Sequence, residues 1–304
     1  MRGTSFFTAW WRLSRIPFLS VGVFPLILGF ALARRSGYEA PLGLYLLSIV
    51  ATVLIMWMTY YLGEWNDLGG DRINRTFNRF SGGSRVLVEG VLPPWISLLF
   101  GYLCLGGSIL LGLYLRWRYQ TGPWTLLLGG VGIFSGFFYS GKPLRFAYRG
   151  LGEVLIGFCY GWLPIATGFY LCAGFISDRV FWLSLPIGLT VFNVILINEF
   201  PDEEADRHIG KRNLVVRFGK ERMGDLYMAL SILAGLFFIK MVRISGKGPW
   251  LWALIAFPGL LILYNLWMVW KEAYREPKRL ESLCRNTLAV NLSMTLILTL
   301  LQGL

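Results

Sequence analysis

The sequence predicts an all-α integral membrane protein, a bundle of about nine transmembrane helices with its N-terminus cytoplasmic and its C-terminus on the opposite side. Three observations predict this. Of 304 residues, 55% are hydrophobic and only 15% charged, at a mean hydropathy of +0.56, and a soluble domain of this length needs more polar surface. Nine apolar stretches are each long enough to cross a bilayer. The basic residues divide unequally between the segments that join those stretches.

In chain order the stretches run over roughly 16–33, 42–62, 91–115, 123–140, 151–174, 180–198, 226–242, 249–270 and 287–303. None alternates as a barrel strand does. Small residues within them, such as Gly101, Gly106, Gly107 and Gly112, permit close helix approach. Thirteen Trp, 14 Tyr and 22 Phe suit two membrane interfaces. The basic N-terminal residues Arg2, Arg12 and Arg15 precede an apolar run that continues to Arg34 and Arg35 without a small-x-small site, so no cleavable signal peptide is expected. The whole chain, 1–304, reads as one transmembrane domain.

Segments 1–15, 63–90, 141–150, 199–225 and 271–286 hold 21 of the 29 basic residues, which places them in the cytoplasm. This pattern also accounts for the net charge of +12 without nucleic acid, since the basic residues face anionic lipid or an anionic substrate. Cys104, Cys159, Cys172 and Cys284 form no CxxC pair and read as inert thiols. The central thirds of the spans carry almost no ionisable residues, which argues against a transporter with a coupling site at the bilayer midplane.

Two long cytoplasmic loops carry the chemistry. One contains Glu64, Asp67, Asp71 and Arg72, and the other Glu199, Asp202, Asp206 and Arg207. Both read E-x-x-D-x-x-x-D-R, in segments 63–72 and 198–207, each at the end of an apolar stretch. On a helix this spacing brings three carboxylates to one face. Such acids repel one another unless a cation lies among them, and an oxygen-only donor set suits Mg²⁺ together with phosphate. The single histidine, His208, reads as a solvated loop residue, which leaves no Ser-His-Asp triad.

With these motifs the chain resembles the UbiA-type intramembrane prenyltransferases, whose hallmark is two aspartate-rich cytoplasmic motifs on a nine-helix bundle. It departs from that pattern at Gly63, where the family has Asn, and at Glu64, where it has Asp. Further stretches that carry the resemblance are Gly82-Gly83-Ser84-Arg85, Tyr139 to Pro143, Tyr148 to Glu153 and Gly210 to Arg217. They look most like the menaquinone-pathway branch that prenylates 1,4-dihydroxy-2-naphthoate.

The resemblance implies Mg²⁺-dependent transfer of a polyprenyl group from a prenyl diphosphate to an aromatic acceptor, in a multi-pass cell-membrane protein without an obligate protein partner. Another aromatic precursor or a glycerol phosphate lipid is the alternative acceptor. Glu64, Asp67, Asp71, Glu199, Asp202 and Asp206 are then the expected metal ligands. Lys142, Lys211 and Arg212 are expected at the diphosphate, with Arg72, Arg145 and Arg85 behind them. Asn66 and Asn198 would support the metal site, and Tyr139 would offer its ring face to an allylic cation. The tail is expected among Phe, Leu and Trp of the bundle, open sideways to lipid.

Overall fold

The computed structural model describes residues 6–246, 248 and 250–303; Arg2 and Lys247, both counted among the basic residues above, lie outside them. Every regular element among these residues is helical. The helices are α1 (Phe6–Leu13), α2 (Ser20–Arg35), α3 (Leu42–Ile73), α4 (Pro94–Arg118), α5 (Trp124–Ser140), α6 (Gly152–Gly157), α7 (Leu163–Ala173), α8 (Asp178–Asn198), α9 (Glu203–His208), α10 (Leu214–Ser245), α11 (Leu251–Trp270) and α12 (Pro277–Gly303). A π turn, Phe158–Trp162, joins α6 to α7 as one apolar span. Among the described residues eight spans are long and apolar enough to cross a membrane, and α5 is shorter at 17 residues.

Local chemistry sets the ends. Pro94 opens α4, where its missing N–H costs nothing. Asn213 caps α10 by accepting the Val216 N–H at 2.8 Å. Gly174 ends α7 in the left-handed conformation. Three helices run beyond their apolar stretches: α3 past residue 62, α10 before 226 and α12 before 287. Hydropathy marks where a helix leaves the apolar phase, not where its hydrogen bonds stop.

The largest apolar core joins α2, α7, α8, α10, α11 and α12 around Leu28, Ile165, Phe169, Ile187, Phe238 and Met294. α2 and α7 meet backbone to backbone at Gly29 and Gly168, where a side chain on either would strike the other helix. Beside this core, Asn193 donates to the Tyr227 carbonyl at 3.0 Å and the Ser231 hydroxyl at 2.9 Å, while Tyr227 pairs with Thr287 at 2.7 Å. These bonds tie α8, α10 and α12 together where lipid offers no alternative partner.

Candidate active site

Glu64, Asp67 and Asp71 share one face of α3, which stays unbroken through the first acidic segment. All three border a cavity of about 200 Å³ at one end of the bundle. The second segment is built differently from the expected single helix face. α8 stops at Asn198, the chain turns through Pro201 and Asp202, and α9 starts at Glu203. Proline lacks the N–H that would continue the ladder and its ring crowds the preceding turn. Glu199, Asp202 and Asp206 nevertheless border the same cavity. The turn does what the helix face does in the first copy.

The six acids are held in different ways. Both oxygens of Glu64 are engaged: Oε1 accepts from Arg15 at 2.8 Å and from the Ser84 N–H at 2.7 Å, and Oε2 from the Ser84 hydroxyl at 2.7 Å. Asp67 accepts from Ser140 and Tyr148, both at 2.8 Å. Asp71 presses against Gly83, whose φ of 71° suits glycine and where a β-carbon would run into the carboxylate. Asp202 accepts from Asn74 at 2.6 Å and from the Gly82 N–H at 3.2 Å, so the loop after the first motif is fastened to the second motif. Asp206 accepts from Asn213 at 2.8 Å and pairs with Lys211 at 3.2 Å. Glu199 is buried, and its Oε2 has no partner.

Burial penalises these charges. It pushes Asp206 up to about 6, against the opposing pull of Lys211. It raises Asp202 as well, opposed by Lys211 and the Asn74 hydrogen bond. Burial and then the neighbouring Glu153 hold Glu199 well above the usual carboxylate range. Lys211 loses hydration too, but Asp206 and Asp67 outweigh that loss and keep it firmly cationic. Among the described residues, no three of His, Cys, Asp and Glu already meet closely enough to hold one ion.

Of the other expected site residues, Asn198, Tyr139 and Lys211 border the cavity. Six do not. Lys142, Arg72 and Arg212 are exposed. Arg85 stacks on Phe77 and donates to the Asp71 carbonyl, tying its loop to the end of α3. Arg145 lies 3.6 Å over the Tyr148 ring and donates to the Ser140 carbonyl at 3.3 Å. Asn66 donates back to the Leu62 carbonyl of its own helix at 2.8 Å. His208 is exposed, with its ring on the Glu204 carbonyl.

Sequence reasoning missed Arg15, Asn74, Ser84, Ser140, Tyr148, Glu153 and Tyr160. Glu153 is fully buried; its Oε1 accepts the Leu214 N–H at 2.6 Å and it lies against Glu199. A carboxylate just inside an apolar stretch is a signal that would have found it, since such a group is rarely buried without a task. The others are polar residues whose partners lie far away in sequence.

The carboxylate cavity continues inward. Thr59, Tyr139, Ile156 and Tyr160 border both it and an apolar cavity of about 100 Å³ between α2, α3, α5 and the α6–α7 span. That inner space is lined mainly by Gly, Thr, Ile and Leu, with Tyr139 and Tyr160 as its aromatic residues in place of the Phe and Trp expected from the sequence.

The described residues thus form an end-on acidic cavity that opens onto an apolar interior, within a bundle of membrane-length helices. The chain belongs to the UbiA prenyltransferase family, whose model matches residues 22–288. It is therefore a multi-pass membrane enzyme that transfers prenyl groups. It is 28% identical over 241 residues to the 1,4-dihydroxy-2-naphthoate octaprenyltransferase of Bacillus subtilis, covering 79% of this chain and 76% of that one. Its fold is that of the apo UbiA homolog from Aeropyrum pernix, at TM-score 0.68 and 19% identity over 91% of this chain and 96% of that one. The UbiA homolog from Archaeoglobus fulgidus bound to GPP and Mg²⁺ is similar at TM-score 0.62 and 15% identity, over 95% and 99%.

Proposed function

We propose that this enzyme transfers a polyprenyl group from a prenyl diphosphate to an aromatic quinone precursor, 1,4-dihydroxy-2-naphthoate first among them, with Mg²⁺ as cofactor. The reading includes nine crossings, α5 among them, as one domain with the N-terminus cytoplasmic. The observation that carries it is the cavity into which both acidic segments turn all six carboxylates, and which opens inward onto an apolar space.

The donor set fits a hard divalent cation. It is all oxygen, it is short of balancing positive charge, and it keeps a buried oxygen on Asn198 without a partner. Asp67, Asp71, Asp202 and Asp206 would hold the ion, with water and phosphate oxygens completing its shell. Glu64 is committed to Arg15 and Ser84. Bound Mg²⁺ supplies charge neutralisation for the departing diphosphate.

The chain's own residues do the rest. Lys211 places a fixed positive charge at the diphosphate, and its neighbours hold it charged. The allylic C–O bond breaks with its electron pair leaving on the diphosphate. An electron-rich ring carbon then bonds to the allylic carbon, and the ring gives up a proton. Tyr139 and Tyr160 stand where the polar and apolar spaces meet, so their rings face the carbon that becomes positive. The apolar inner wall keeps water from that carbon.

The test is a screen of purified protein with labelled prenyl diphosphates and aromatic acceptors, with and without Mg²⁺, read by mass spectrometry. A prenylated naphthoate product that requires a divalent ion is expected. Equal product in excess chelator removes the metal assignment, and product with a glycerol phosphate instead corrects the acceptor.

A further inference from the structure

We propose that the donor's tail leaves the bundle between α4 and α5 through a four-residue ring, and that Gly129 in that ring selects for tail length. This rests on the prenyl-transfer reading.

Beyond the inner apolar cavity lies a second one, of about 250 Å³, between α3, α4, α5 and α7. Thr52, Ile55, Gly129 and Thr167 border both, so these four residues form the boundary between them. Three spaces thus follow one another along α3, from the carboxylates to the far cavity. Ile55 lies twelve residues from Asp67, about 18 Å along the helix, and Ser48, on the far cavity, lies at about 28 Å. The boundary is farther than a geranyl chain reaches and well within an octaprenyl chain.

The path is apolar despite its hydroxyls. Thr52 donates to the Ser48 carbonyl at 3.0 Å, Thr167 to Leu163 at 2.7 Å, Ser48 to Leu44 at 2.6 Å and Ser108 to Leu105 at 2.8 Å. Each hydroxyl is satisfied within its own helix and asks nothing of the space. At its far end the outer cavity is bordered by Ile109 of α4 and Leu126 of α5, which are 45% and 43% exposed on the lipid-facing side. A hydrocarbon tail entering from the carboxylate end therefore meets a succession of adjoining apolar spaces that ends at lipid, and the lining they share, back to the diphosphate cavity, is the reason to assign them that occupant.

Gly129 controls the route because a β-carbon there meets no atom within 4 Å, while its backbone borders both cavities. A larger side chain would project into the ring without disturbing a packed neighbour. Tails that end before the ring would not meet it, and longer tails would.

The experiment uses the full chain in lipid nanodiscs with Mg²⁺ and 1,4-dihydroxy-2-naphthoate. For Gly129→Phe, the ratio of kcat/KM for a long donor to that for geranyl diphosphate should fall about tenfold or more. Gly106→Leu, on the lipid face of α4 and away from every cavity described, should leave the ratio unchanged. An unchanged ratio in Gly129→Phe overturns the proposal. Should that variant lose geranyl transfer as well, labelling of the unaltered protein decides: a long prenyl diphosphate with a terminal benzophenone should mark the segments around Ile109 and Leu126. Label confined to other helices overturns the route while leaving prenyl transfer intact. If the unaltered protein uses no prenyl diphosphate at all, prenyl transfer itself falls.

Discussion

The two acidic segments share one spacing and are built on different backbones. In the first, an unbroken helix stacks Glu64, Asp67 and Asp71 on one face. In the second, Pro201 ends the helix, and a turn and the short α9 deliver Glu199, Asp202 and Asp206 separately. The shared E-x-x-D-x-x-x-D pattern therefore does not make the two copies equivalent. The first copy gives Glu64 entirely to Arg15 and Ser84. The second leaves Glu199 buried beside Glu153 with an oxygen unpartnered. What they have in common is the cavity they face, and Asn74 joins them directly by reaching across to Asp202.

The comparison breaks first at the central aspartates. Asp67→Ala and Asp202→Ala should each lower kcat by about 10²–10³-fold or more, with normal membrane insertion. Near-normal turnover in either would remove that copy from the metal site. Lys211→Met should cost about 10²-fold, since it removes a cavity cation that is not committed to Glu64. A rate unchanged in that variant would show that diphosphate charge is met elsewhere.

Acid should also act on the site. Asp206 is pushed up to about 6 by burial, so it takes up a proton as pH falls through that value. Its ionised form is the one that binds a cation, so activity should drop below about pH 6, and more Mg²⁺ should move the midpoint lower. The sign for stability follows from the same shift. A buried acid with a raised pKa destabilises the ion-free fold as pH rises past the ordinary carboxylate range. Mg²⁺ at neutral pH should therefore raise the melting temperature, and a chelator should lower it.

Glu64 sharpens the comparison at a smaller scale. Glu64→Gln should lower activity by about tenfold, far less than Asp67→Ala, with a stability loss of about 2 kcal/mol from weakening charged hydrogen bonds. Arg15→Met should act similarly, and the double variant should cost less than the two single changes combined. A loss as large as that of Asp67→Ala would return Glu64 to the metal. Smallest of all, Lys142→Ala should change turnover by less than about twofold, as expected for an exposed side chain away from the cavity; a large loss would mean that the 141–145 loop closes over the substrate.

Much of this was legible from residues alone. Nine apolar stretches and the distribution of Lys and Arg predicted a membrane bundle, because the energy of leaving water is a sum over neighbouring residues. The repeated acids pointed to the site, because a helix period converts spacing into a shared face. Arg85, Arg145 and Lys142 lie off the cavity, because a basic residue near a motif carries no information on which way its side chain turns. Glu153, Tyr148 and Asn74 were given no site role for the complementary reason, since their partners lie 61, 81 and 128 residues away.

By itself, then, the sequence determined the solvent, the helices and the charge of the site, all of which are properties of short windows. Tertiary structure alone decided that six acids share one cavity, that Glu64 spends its oxygens on Arg15 and Ser84, and that two apolar cavities adjoin at Gly129. Those facts depend on contacts between distant segments and on space left unfilled, and neither is written in any local pattern.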